Sequence, residues 1–140
     1  MRCLLDTCLL SELVKPEPEP AVLAWVSGCK EADLFVSALT IAELRRGVGR
    51  LPRSRQRAEL AAWLEKLEAG FEDRVLPFTR ETAAVWAGMV IQSEAQGRSM
   101  AAFDSIIAAT ALEHGLRLVT CNVRDFASAG VGLFNPLDSA

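Results

Sequence analysis

"AAFDSIIAATALEHGLRLVTCN", Ala101–Asn122, decides the fold. Its first part reads as an apolar helix that stops at Gly115, and "LRLVTCN" reads as a short strand. A helix feeding a strand that is apolar on both faces predicts a buried, parallel sheet. One residue interrupts the pattern. Asp104 has Ile107, Ala108 and Ala111 three, four and seven positions on, so it shares a helix face with core-type residues. An unpaired carboxylate there is costly. Its partner must be the helix's own backbone, an arginine or a metal ion.

Outward from this stretch, strands and helices alternate. Arg2–Leu5 reads as a first strand and a helix starts at Asp6 or Thr7, running through Leu9, Leu10 and Leu13. "KPEPEP" (Lys15–Pro20) breaks regular structure, and "AVLAWVSG" restarts a helix that ends at Gly28. "DLFVSAL" (Asp33–Leu39) is a second strand and "TIAELRRGV" a helix. The connection "GRLPRSRQR" leads to the amphipathic "AELAAWLEKLEAGF". "RVLPF" (Arg74–Phe78) is a third strand, "TRETAAVWAGMVIQSEAQG" a helix, and "VGLFNP" holds a last strand. The pattern predicts one α/β domain over residues 1–140: a three-layer α/β/α arrangement around a central, mostly parallel sheet of four to five short strands.

The bulk properties narrow the function. The chain has 140 residues, 51% hydrophobic and 24% charged, the balance of a globular protein with a real core. No apolar run reaches the roughly 18 residues of a membrane span. The first twenty residues carry Asp6 within their apolar part, unlike a secretory leader. A cytoplasmic location is expected. Cys3, Cys8, Cys29 and Cys121 form no C-x-x-C pair and His114 is the one histidine. That speaks against a Cys/His zinc site and for free thiols, with His114 near a helix end. The net charge of −3 excludes a uniformly basic nucleic-acid coat. Charge is uneven, however: Arg45, Arg46, Arg50, Arg53, Arg55 and Arg57 lie between Leu44 and Ala58 with no acid among them. Such a patch either holds phosphates or is a solvated face.

In open parallel α/β folds, ligands collect at the carboxyl ends of the strands. Asp6 follows the first strand, Glu43 lies in the helix after the second, Asp125 lies beyond the fourth, and Asp104 opens the helix leading into it. Each has a bland reading: Asp6 or Asp104 as a helix cap, Glu43 closing the capping box "TIAE", Asp125 capping a turn. Together, four acids converging on one edge repel one another, and Mg²⁺ or Mn²⁺ would offset the repulsion.

The segments "CLLDTCLLSEL", "VSALTIAELRRG", "FDSIIAATALEHGLRLVTCNVRDF" and "LFNP", taken in that order, resemble PIN-domain ribonucleases, and within them the VapC and FitB-like toxins of toxin–antitoxin pairs. The resemblance spans residues 3 to 136. It implies a PIN-like fold and carries the family's acidic quartet onto Asp6, Glu43 and Asp104. At the fourth position many members have an aspartate two residues after the threonine of "LVT". Here that place is Asn122, and Asp125 is the nearest acid. Thr120 and Asn122 then orient a water or a phosphate oxygen.

The activity so implied is hydrolysis of RNA phosphodiesters with Mg²⁺ or Mn²⁺, Asp6 and Asp104 as direct ligands and Glu43 and Asp125 completing the shell. Arg45 and Arg46 are candidates for contact with RNA or with the antitoxin. The resemblance also implies a homodimer, and a VapB-like antitoxin that covers the groove in a heterotetramer or larger assembly. Two rivals differ in class. A signalling receiver domain needs an acid pair after its first strand and an aspartate after a later central one, and neither is present. A catalytically inactive PIN-like binding module would lack affinity for divalent metal, whereas Asp6, Glu43 and Asp104 are all in place.

Overall fold

A computed structural model describes residues 1–139. Five short strands form the sheet: β1 (Cys3–Leu5), β2 (Leu34–Ser37), β3 (Val75–Leu76), β4 (Arg117–Val119) and β5 (Leu133–Phe134). Their spatial order is β3-β2-β1-β4-β5, and every pair is parallel. Among the described residues, six α-helices flank the sheet: α1 (Thr7–Leu13), α2 (Pro20–Ser27), α3 (Ala38–Gly49), α4 (Arg55–Phe71), α5 (Arg80–Ala95) and α6 (Ala102–Glu113).

Strand alternation divides the core in two. Cys3 and Leu5 of β1, with Val36 and Val119, face a cluster built with Leu9, Leu10, Val22, Leu44 and Leu64 from α1 to α4. Leu4 faces the other way, beside Leu118, and packs with Met89, Ile107, Ala108 and Ala111 from α5 and α6. All three β1 residues are therefore buried, as a strand covered on both faces requires.

The chain path fixes where a cleft opens. β2 and β3 lie to one side of β1, while β4 and β5 lie to the other. The order reverses between β1 and β4, and connections leave their carboxyl ends in different directions. Asp6 and Thr120 are the residues that follow these two strands, bridged by the Asp6 N–H donating to the Val119 carbonyl at 2.9 Å.

Element boundaries depart from the sequence reading in instructive ways. The second strand stops at Ser37 rather than Leu39, because the Ser37 hydroxyl accepts from the Leu39 N–H at 3.1 Å and caps α3. Thr40 is thus inside α3 and fully buried, and the capping box "TIAE" does not form. Strands three and four are shorter than expected. α6 ends as the sequence predicts. Gly115 adopts φ 64°, its N–H donates to the Leu112 carbonyl, and the Leu116 N–H reaches back to Ala111. This is a left-handed helix stop that glycine favours. His114 caps that end, 3.5 Å from the Glu113 carboxylate. No helix among the described residues is long and apolar enough to cross a membrane.

Candidate active site

Asp6 follows β1 directly, at the point where the strand order reverses, and is only 5% exposed. Its Oδ1 accepts from the Thr7 N–H at 2.8 Å, so it does cap α1, as the bland reading has it. Oδ2 does something more: it accepts from the Thr120 hydroxyl at 2.8 Å and from the Cys8 thiol at 3.3 Å. Thr120 is fully buried, and its hydroxyl in turn accepts from the Asn122 N–H at 3.0 Å. Three donors on one carboxylate fix its direction. Burial, with Asp6 next in importance, pushes the Cys8 thiol up to about 12, so sulfur is the donor in that contact.

Glu43 is one and a half turns into α3. Its Oε1 accepts from the Thr7 hydroxyl at 2.7 Å, and the Thr40 hydroxyl lies 3.2 Å from that of Thr7. Thr7 therefore ties two acids together, Asp6 through its backbone and Glu43 through its side chain. Sequence reading passed over Thr7. The signal was a threonine directly after the first aspartate, but its contact lies 36 positions away.

Asp104 is the third residue of α6, in its first turn and not at its cap, which is Ala101. Ile107, Ala108 and Ala111 are fully buried, so the shared face is real. Among the described residues, nothing donates a hydrogen bond to Asp104 and no cation pairs with it. Arg98 and Arg124 line the same open cavity of about 410 Å³, along with Asp125, without forming an ion pair to it. Desolvation, then the charges of Asp6, Asp125 and Glu43 in that order, raises its carboxyl to about 6. Of the three candidate partners, backbone and arginine are thus not used. The helix itself is held in place by the Trp86 indole N–H donating to the Ser105 hydroxyl at 2.8 Å. That contact was also invisible in sequence.

Asp125 lies in a 3₁₀ turn, Val123–Phe126, whose Phe126 is buried against α6. Its carboxylate caps nothing among the described residues, and it shares the cavity with Asp104. Asn122 lines a separate opening with Cys8 and Cys121. The charge of Asp125 helps raise the Asp104 carboxyl.

The four acids thus form one electrostatic cluster around Asp104. Their oxygens suit a hard divalent cation such as Mg²⁺ or Mn²⁺. No three carboxylates, thiols or imidazoles among the described residues already stand close enough to make a closed cage. Like charges separate at short range, and Mg²⁺ commonly takes one or two carboxylates and keeps waters. Arg45 does not belong to this site: it makes a two-pronged contact to Glu68, at 3.1 and 2.5 Å.

The sequence matches the PIN-domain family model over residues 3–131. It is 36% identical over 137 residues to the VapC ribonuclease Y4jK of Sinorhizobium fredii, covering 97% of this chain and 98% of that one. It is 38% identical over 134 residues to the toxin FitB of Neisseria gonorrhoeae, covering 95% and 96% of the two chains. A crystal structure of FitAcB from that organism superimposes with a TM-score of 0.92 at 38% identity, over 96% of this chain and 98% of that one. These likenesses remove the receiver-domain reading. With an acidic cluster at the switch point of an all-parallel sheet and a family match along nearly its whole length, the chain belongs to the PIN-domain family.

Proposed function

We propose that this protein is a metal-dependent endoribonuclease, the toxin of a toxin–antitoxin pair that a VapB-like antitoxin neutralises. The observation that carries this reading is Asp104. A carboxyl on a core-facing helix side, raised by burial and then by three other acids, and paired with no cation among the described residues, fits a group built to meet a metal ion. Two relatives named as a VapC ribonuclease and a toxin supply the reaction class.

Asp6 and Asp104 would hold Mg²⁺ or Mn²⁺, with Glu43 and Asp125 beside them. When bound, the ion supplies Lewis-acid activation of water and neutralises charge on the phosphate. The chain's own residues do the positioning. Thr120 and the Thr7 N–H hold the two oxygens of Asp6 in fixed directions. Thr7 leaves Glu43 one uncommitted oxygen with which to orient the attacking water. Arg46 follows Glu43 by three residues on the same side of α3, Arg50 caps the end of that helix, and both are exposed. Both would meet RNA phosphates, a role that Arg45 gives up to Glu68. The chain has no tyrosine and few other aromatics, so RNA is gripped through its backbone more than by stacking. The working state is a cytoplasmic homodimer, joined by antitoxin in a heterotetramer or larger assembly.

The test is incubation of purified, antitoxin-free protein with structured RNAs and Mg²⁺ or Mn²⁺. Cleavage lost both with a chelator and in Asp104→Asn supports the reading. Cleavage that persists in the variant refutes the site. If no RNA is cut and calorimetry detects no metal binding, the protein is instead an inactive binding module.

A further inference from the structure

The acidic edge also carries a pair of thiols that the reaction above does not use. Cys8, in the first turn of α1, and Cys121, two residues beyond β4, are 113 positions apart in sequence. They meet in space. The Cys121 N–H donates to the Cys8 sulfur at 3.3 Å. Both line an open cavity of about 410 Å³ with Ser11, Glu12, Lys15 and Asn122, so a small reagent in solution reaches them. The other two cysteines differ. Cys3 is fully buried, and the Cys29 thiol donates to the Trp25 carbonyl within its own turn.

We propose that Cys8 and Cys121 are an oxidation site that closes to an intramolecular disulfide on exposure to a peroxide or a low-molecular-weight disulfide. Cys8 has its proton engaged by Asp6, so Cys121 attacks first. With hydrogen peroxide, the Cys121 sulfur takes one oxygen and hydroxide leaves. The Cys8 sulfur then displaces the second hydroxide, and the two thiol protons complete two waters. Two electrons leave the sulfurs and reduce the peroxide. With a small disulfide, the first attack releases one small thiol, and the Cys8 attack releases the other. The product ties the start of α1 to the segment after β4 by a bond of about 2.05 Å. It draws the Cys8 sulfur off Asp6 Oδ2 and removes one of that carboxylate's three donors.

The experiment treats the full, reduced chain with hydrogen peroxide in one arm and oxidised glutathione in the other. Remaining thiols are alkylated in denaturant, and peptides are mapped by mass. The expected result is a linked Cys8–Cys121 peptide two hydrogens lighter than its parts, with Cys3 and Cys29 alkylated, all reversed by dithiothreitol. Cys121→Ser is expected to yield no internal link. Four alkylated thiols after prolonged oxidation, or links only between chains, would overturn the proposal. The readout is a mass, so it stands or falls separately from ribonuclease activity.

Discussion

Asp104→Asn should make the metal-free protein more stable while removing its activity. The carboxyl of Asp104 is raised to about 6, so the folded protein holds that proton more tightly than the unfolded chain does. The sign follows from linkage. Below the ordinary aspartate range both states are protonated and the group is neutral to stability. As pH rises through about 6 the folded state must charge a carboxyl that burial and three acids disfavour, and stability is lost. At full strength the difference corresponds to ~3 kcal/mol above that window. Asp104 is partly open to solvent, and screening reduces this to about 1–1.5 kcal/mol. For a chain of this size that is about 2–6 °C in melting temperature. The assay is thermal unfolding of wild type and variant in EDTA at pH 4 and pH 7.5. The variant is expected to lead at pH 7.5 and to lose the lead at pH 4. Added Mg²⁺ should then raise the wild type alone, since it binds the folded state. A variant no more stable at pH 7.5, or a lead that does not change with pH, would refute the reasoning.

Four further substitutions probe the surroundings. Thr120→Val keeps the shape but deletes the buried donor to Asp6, and is expected to weaken metal affinity roughly 10–100-fold by calorimetry. The same change should cost about 1–3 kcal/mol in urea unfolding. Arg46→Ala is expected to raise KM for RNA and to reduce the salt dependence of binding by about 0.7 per lost phosphate contact, whereas Arg45→Ala, already committed to Glu68, leaves that slope unchanged. Ser37→Ala removes the cap of α3 and should cost about 1 kcal/mol by denaturant titration, with the cap's loss also loosening Glu43.

Much of the fold was legible because long-range order followed from local pattern. Alternating apolar strands and helices specified a parallel sheet, and Gly115 marked the end of α6. Asp104 stood out because it broke a helical period that its neighbours obeyed. What stayed hidden depended on contacts between distant segments. Nothing near Thr7 announces that it will hold Glu43, and nothing near Arg45 announces Glu68, 23 positions on. Ser37 was misread because "VSAL" continues an apolar strand as naturally as it starts a capped helix. The meeting of Cys8 with Cys121 belongs to the same class: it follows from two strand ends being neighbours, which is a property of the strand order.

That strand order has a consequence for how the molecule can change. The cleft exists because connections from β1 and β4 diverge, a property of the strand order and not of any one side chain's charge. Descendants could lose every carboxylate and keep the hollow. A variant with Asp6, Glu43 and Asp104 all made neutral would be chemically silent yet present the same outline to whatever covers the groove. Under the proposed function, such a decoy expressed beside the parent would compete for the antitoxin and release active copies.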